Sequence, residues 1–238
     1  MAFWKSQPSK ADKAEKDSPA ATNALFIEPS MATILEELEV MPNEFSHKAW
    51  EALQKRAYQA SQLLRQIGLL LQIDQGSLTR MIEESVTTCD LTTCLEIAIS
   101  VIRADFDLPE SKITLKPAPA PVLIPGAPEI LIMIFSEIIH NAVIFSEPSA
   151  PVRVTVRPQQ DFALIEIADK GRGITESQMP LVWERFTQFC QTDYPQQGVG
   201  LGLAIVNECI GFCNGAVSIS SAPQQGTVVS LGFPRSLS

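Results

Sequence analysis

The sequence predicts an α/β fold: a two-layer sandwich with helices on one face of a mixed, mostly antiparallel sheet, preceded by a helical segment. Three observations carry this. From Glu44 to about Ile73, apolar residues recur at threes and fours, the period of a helix. After Phe145 the texture changes to period two, in Val152 to Ala168 and again in Val217 to Phe233, as paired runs joined by short polar turns, the pattern of hairpins. Between these regions, Pro128 to Phe145 is apolar almost all round, as in a helix buried inside a domain.

Composition bounds the rest. The 238 residues suffice for one full domain and a smaller element, and 45% hydrophobic content provides a sizeable core. A net charge of −9 argues against a general nucleic-acid or anionic-membrane surface. No run approaches a transmembrane helix free of charge, and the start lacks the apolar stretch of a signal peptide, so a cytoplasmic protein is expected. Cys89, Cys94, Cys190, Cys209 and Cys213 show no metal-ligand spacing. They read as small buried side chains, with a redox switch as the alternative.

Taken in order, residues 1–29 mix Lys, Asp, Ser, Pro and Ala without periodicity, as in a disordered tail. A short helix is expected from Ser30 to Val40, broken by Pro42 and Asn43. The long helix of Glu44 to Ile73 follows, with Phe45, Trp50, Leu53, Ala57, Ala60, Leu64, Ile67 and Leu71 on one side and Gly76 beyond its end. So wide an apolar face expects another helix against it, in the same chain or in a second copy. Glu83 to Ala104 is read as a further helix, with Asp90 as an alternative start. Short strands are expected at Ile113 to Leu115 and Val122 to Ile124, with a proline-spaced link between them. Val152 to Arg157 and Phe162 to Ala168 form a hairpin; Leu201 to Phe212 is a helix ended by Asn214-Gly215; Val217 to Ser220 and Thr227 to Phe233 close the sheet.

Several polar residues interrupt this scaffold. Glu137 and Asn141 are four apart on the apolar helix and so share a side of it. Burying both without partners costs a few kcal/mol, which points to a ligand. Asp169 follows directly on a strand and precedes Gly171 and Gly173, giving an acceptor and close backbone approach; alone, such a turn is a weak signal. Gly198, Gly200 and Gly202 open a helix at alternate positions, where unsatisfied N–H groups favour phosphate. This differs from the dinucleotide fingerprint, which needs a preceding strand and other spacing.

In order and spacing, these stretches resemble the ATP-binding domain shared by histidine kinases, gyrase, Hsp90 and MutL, the Bergerat-type fold, most closely the kinase branch. SEIIHNAVIFS resembles its N box, DKGRGI its first glycine box, WERFTQF its phenylalanine box, GVGLGLAI its second glycine box and QQGTVVSLGFP its last strand. The resemblance spans roughly Leu91 to Pro234; with the tail at 1–29, it divides the chain into a helical dimerisation or partner-binding segment at 30–82 and a catalytic ATP-binding domain at 83–238. It implies that Asn141 holds Mg²⁺ between the ATP phosphates and that Glu137 orients or deprotonates the attacking group. Asp169 would accept from the adenine amino group, with Gly171 and Gly173 shaping the turn and Thr227 closing the pocket. Phe186 would anchor a lid, and Gly198, Gly200, Leu201 and Gly202 would cradle the phosphates. Few protein oxygens plus phosphate and water suit Mg²⁺.

Two departures qualify the implied activity. The family usually places Lys or Arg three residues after the N-box asparagine; here Ile144 stands there, and the lid, Thr187 to Gln197, has no Lys or Arg. Losing such a cation slows transfer more than it weakens binding, so modest turnover is expected. The phosphoacceptor context is also incomplete. His140 lies inside the N-box helix, an implausible acceptor because it would have to leave a packed helix. His47 is followed by Lys48 rather than an acidic residue; it reads either as the acceptor or as an ordinary surface or interface histidine at a helix start. The resemblance therefore implies a soluble histidine kinase, dimeric through residues 44–76, acting on itself or a partner such as a response regulator or sensor protein. The alternatives are a non-phosphorylating ATP-binding regulator and an anti-sigma-type serine kinase.

Overall fold

The computed structural model describes residues 47–78, 87–189 and 198–235. The expected tail and the helix of Ser30 to Val40 lie outside the described residues, as does the expected boundary between 82 and 83. The chain divides into two compact units, Met1–Asp74 and Gln75–Ser238.

In the first unit, helix α1 is His47–Asp74. Its 28 residues span about 42 Å at 1.5 Å per residue. Leu64 and Leu71, two turns apart, are both exposed. Gly76 follows the helix at φ +66°, a left-handed conformation that glycine adopts without steric cost.

The second unit is the predicted sandwich. Its sheet runs β2 (Ile113–Lys116), β4 (Val152–Pro158), β5 (Phe162–Ala168), β7 (Thr227–Pro234) and β6 (Ala216–Ser221), in that spatial order. Only β2 and β4 are parallel. A parallel pair needs a crossover. Here it comprises β3 (Leu123–Gly126) and helix α3 (Pro128–Phe145). Helix α3 packs between α2 (Leu91–Phe106) and α4 (Gly202–Cys209), over β4 and β5.

Alternation explains which face the helices cover. Val152, Val154 and Val156 point inward from β4, with Ala163, Ile165 and Ile167 from β5 and Val229, Leu231 and Phe233 from β7, all buried. Register places Ile165 between Val156 and Leu231, and Ile167 between Val154 and Val229. These rows receive Ile134, Phe135, Ile138 and Ile139 of α3, each no more than 1% exposed. Phe135 meets Phe233 edge to face, with ring centres 6.1 Å apart. On the other face Arg153 and Arg157 are exposed, and Arg157 Nη2 lies 2.9 Å from Glu166 Oε2.

Among the described residues α3 is the one helix long and apolar enough to cross a bilayer, with a mean hydropathy of 1.6. It is instead the central helix of this core, where nine of its residues are buried.

The expected helix of Glu83 to Ala104 requires correction. Thr87–Asp90 is strand β1, paired antiparallel with β3, and α2 begins only at Leu91. Asp90 ends the strand and caps the helix, because its Oδ2 accepts from Thr93 N at 3.3 Å. Its Oδ1 accepts from Val122 N at 3.1 Å, tying the cap to β3. Smaller shifts occur elsewhere. A 3₁₀ turn, Glu110–Lys112, leads into β2, and β3 extends to Gly126. The last predicted helix is α4 followed by a 3₁₀ turn, Ile210–Cys213, ended by Asn214 at φ +50°.

Cys89, Cys94, Cys209 and Cys213 are free and buried. Burial pushes the Cys94 and Cys209 thiols up to about 12 and that of Cys213 up to about 11, leaving inert thiols. Cys190 lies outside the described residues.

Candidate functional site

The site is assembled where the ends of α3, β5 and β7 meet the start of α4. Glu137 and Asn141 project from the C-terminal half of α3; Glu137 is only 5% exposed. Gly202, the first residue of α4, comes directly against them. A Cβ on Gly202 would lie 2.8 Å from Glu137 Oε2 and 3.4 Å from Asn141 Nδ2. The helix start thus adjoins both side chains. The absence of a side chain at Gly202 leaves the carboxylate its place.

Asp169 stands just past β5. Its Oδ1 accepts from Gly171 N at 2.8 Å and Thr227 N at 3.2 Å; neither bond uses Oδ2. Its own N–H donates to Thr227 O at 2.9 Å, locking the start of β7 beside it. Burial raises the Asp169 pKa above the ordinary 3.8, opposed by those two backbone donors.

The glycines explain how close these segments lie. A Cβ on Gly171 would meet Phe145 O at 2.1 Å, at the end of α3. Gly173, at φ +70°, faces Ala222 O so closely that a Cβ would fall 1.9 Å from it. Ser221 completes the turn: its Oγ accepts from Ile174 N at 2.9 Å and lies 2.8 Å from Gly226 O and 2.9 Å from Thr227 Oγ1.

At the other end, Phe186 has φ +65° and donates its N–H to Gly200 O at 2.9 Å. Gly200 itself has φ +79°, with Thr187 O where a Cβ would lie. Gln188 Nε2 donates to Gly198 O at 2.7 Å. Residues 186–188 therefore run along the glycine segment that precedes α4. Leu201 is 1% exposed, so its side chain belongs to the core and only its backbone is available to a ligand.

The two arginines, Arg172 and Arg185, have protein partners. Arg185 makes a two-point ion pair with Glu208 of α4, at 2.8 and 2.6 Å. Arg172 donates to Phe189 O at 2.8 Å, and its guanidinium lies 5.1 Å from the centre of the Phe145 ring. Lys170 is exposed, and Ile144 is half-buried on the last turn of α3. His140 packs its ring 5.3 Å from that of Phe106 on α2. His47 is the first residue of α1, in the other unit.

The structure thus gathers Glu137, Asn141, Asp169, Gly171, Gly173, Phe186, Gly200, Gly202 and Thr227 along one rim of the sandwich. Residues 190–197 lie outside the described residues. Sequence reasoning passed over Ser221 and the Arg185–Glu208 pair. A serine in a β6 that alternates half-buried and exposed residues gives no local signal, and the ion partners are 23 residues apart. Among the described residues no group of three or more His, Cys, Asp or Glu side chains could hold a metal by itself. A lone amide oxygen beside an acid suits a cation bound chiefly by phosphate and water.

This sandwich, with a glycine-opened helix set against an acid–amide pair and a carboxylate turn at the far end, defines a histidine kinase-like ATPase domain. Residues 126–237 match the family described as histidine kinase-, DNA gyrase B- and HSP90-like ATPase. Sensor protein CreC of Escherichia coli K12 is 29% identical over 128 residues, covering 54% of this chain and 27% of that protein. Sensor histidine kinase TmoS of Ectopseudomonas mendocina is 29% identical over 233 residues, covering 94% of this chain and 23% of that protein. The chain thus spans 27% and 23% of the lengths of these two relatives. The solved mycobacterial sensor histidine kinase MprB aligns at 25% identity with a TM-score of 0.53, covering 63% of this chain and 97% of that one. The Acinetobacter baumannii histidine kinase AdeS aligns at 16% identity with a TM-score of 0.61, covering 88% and 95%, a likeness of fold alone.

Proposed function

We propose that this chain binds Mg-ATP and transfers its γ-phosphate to a histidine, on itself or on a partner, in two-component signalling, and that a response regulator or a sensor protein is among its protein partners. The observation that carries the reading is the contact of Gly202 with Glu137 and Asn141. It sets the positive start of α4 beside the only acid buried on α3. Fixed dipoles there would stabilise charge moving onto the phosphates without reorganisation.

In this reading Asn141 holds Mg²⁺, which neutralises phosphate charge when bound. Gly198, Gly200, Gly202 and the backbone of Leu201 cradle the phosphates, and Phe186 anchors the segment beside them. Asp169 Oδ2 accepts from the adenine amino group, in a turn shaped by Gly171, Gly173 and Thr227. An imidazole nitrogen attacks the γ-phosphorus while the bond to the ADP oxygen breaks. Glu137 orients that imidazole or takes its proton. His47 is the candidate acceptor, on a segment, residues 44–76, that would form a homodimer in the cytoplasm. Incubation with γ-labelled ATP, with and without His47→Ala, tests this. Acid-labile label lost in the variant supports it; label retained in His47→Ala excludes His47.

A second reading has its own support. Ile144 offers no charge on α3, while Arg185 and Arg172 are engaged by Glu208 and Phe189. These features favour a regulator that binds ATP and changes partner binding without transferring phosphate. Bound ATP with no phosphoprotein would identify it. Acid-stable phosphoserine on a partner would instead mark a serine kinase.

A further inference from the structure

Arg172 lies between the two glycines of the Asp169 turn, and three segments converge on it. Its carbonyl accepts from Gln224 N at 2.7 Å, in the turn between β6 and β7. Its Nη2 donates to Phe189 O at 2.8 Å. Its guanidinium stacks over Phe145, the last residue of α3, 5.1 Å from the ring centre. The segment it grips is itself bonded to the glycines before α4, through Phe186 N to Gly200 O and Gln188 Nε2 to Gly198 O. A continuous path therefore runs from Asp169 through Arg172 and residues 186–189 to Gly198 and Gly200, at the opposite end of the site. A planar, many-donor side chain is suited to both tasks, stacking on a ring and donating to a carbonyl beside it.

We propose that Arg172 is a positioning residue that couples the two ends of the site, so that ordering the Asp169 turn around a purine fixes the glycine segment that receives the phosphates. The inference rests on the ATP reading above. Arg172 touches neither phosphate nor the attacking group in this account; it acts by holding Phe189 and, through its neighbours, Gly198 and Gly200. Its consequence is specific: the advantage of ATP over adenosine, which lacks phosphates, depends on Arg172, whereas adenosine affinity does not.

The test titrates ATP and adenosine, each with Mg²⁺, into the full chain and into Arg172→Met and Arg172→Lys. Methionine keeps an apolar stem on Phe145 but removes the donor; lysine keeps a donor. Loss of a charged donor should lower ATP affinity about tenfold in Arg172→Met. Adenosine affinity should be unchanged and the melting temperature nearly so, with Arg172→Lys restoring part of the ATP affinity. Equal losses for ATP and adenosine, or no loss for either, would overturn the inference. If Arg172→Met does not fold, Arg172→Lys together with Phe145→Leu, which removes the ring but leaves the arginine, gives the same comparison. Failure of the unaltered chain to bind ATP would overturn the ATP reading and the inference with it. Binding by the unaltered chain without the ATP-specific loss would overturn the inference alone.

Discussion

Gly202 and Glu137 are packed so closely that a Cβ on the glycine would fall 2.8 Å from Glu137 Oε2. Glu137 is 5% exposed, so its carboxylate has little room to retreat. Gly202→Ala should displace the carboxylate while leaving the helix intact, since alanine favours helix. Phosphoryl transfer should fall about a hundredfold, the low end of what a positioned acid or base contributes. ATP affinity should fall less. Single-turnover transfer of γ-label measured beside ATP binding separates the two effects.

Asn141→Ala removes an amide that adjoins the start of α4, one turn along α3 from Glu137. ATP affinity should then lose its dependence on Mg²⁺. Titrations with ATP in Mg²⁺ and in EDTA should give nearly the same affinity for the variant and well-separated ones for the unaltered chain. Retained tight Mg-ATP binding would break the assignment of Asn141.

Asp169 makes a pH prediction with two opposite slopes. Burial, opposed by the N–H groups of Gly171 and Thr227, holds its folded pKa above the ordinary 3.8. A carboxyl whose folded pKa is raised binds more protons folded than unfolded. Its contribution to stability is therefore present below the unfolded value and is lost as pH rises through the folded one. ATP binding runs the other way, because only the ionised carboxylate offers Oδ2 purely as an acceptor. As pH falls through the raised pKa, ATP affinity should drop while the unliganded protein gains this increment of stability. Asp169→Asn should bind ATP weakly at every pH and remove both slopes, which calorimetry and thermal melts across the acid range can read.

Gly173→Ala addresses the turn itself. The position has φ +70°, and a Cβ would lie 1.9 Å from Ala222 O. Backbone strain of this kind costs about 1–3 kcal/mol, and relief of the contact would pull the 171–174 turn from Ser221. The melting temperature should fall by several degrees, and Asp169-dependent ATP affinity should fall with it. An unchanged melt would show that the turn relaxes freely.

Ile144→Lys places a cation on the last turn of α3, where Arg172, stacked on Phe145, is held by Phe189. Ile144 is only half-buried, so an ammonium can reach water along its stem. The yield of phosphoprotein at fixed time should rise by about tenfold if developing phosphoryl charge is under-compensated. ATP affinity should change less than the yield. No rise in yield would favour the non-phosphorylating reading.

Much of the fold was legible because it rests on periodicity. Val152, Val154 and Val156 announced an inward row, and the apolar run of α3 announced a buried helix. Local pattern failed at Thr87–Asp90, where four residues became a strand because β3, more than thirty residues away, offered a partner edge. The same local run of Leu91 and its followers suits a helix, and nothing near it marks where pairing takes over. Asp90 was noticed as a helix start, but its second bond, to Val122 N, could not be read from its neighbours.

The sequence by itself determined the order of the elements after β1 and the residue types at the site: an acid and an amide one turn apart, a carboxylate between strand and glycines, and a glycine-opened helix. Those follow from short-range rules of helical spacing, backbone freedom and unsatisfied N–H groups. Only the tertiary structure decided what these residues meet. It set Gly202 against Glu137, locked Asp169 to Thr227, gave Arg185 to Glu208, and placed Arg172 between Phe145 and Phe189. The reason is physical: each contact joins segments far apart in the chain, and its geometry is fixed by how α3, α4 and the sheet pack around one core.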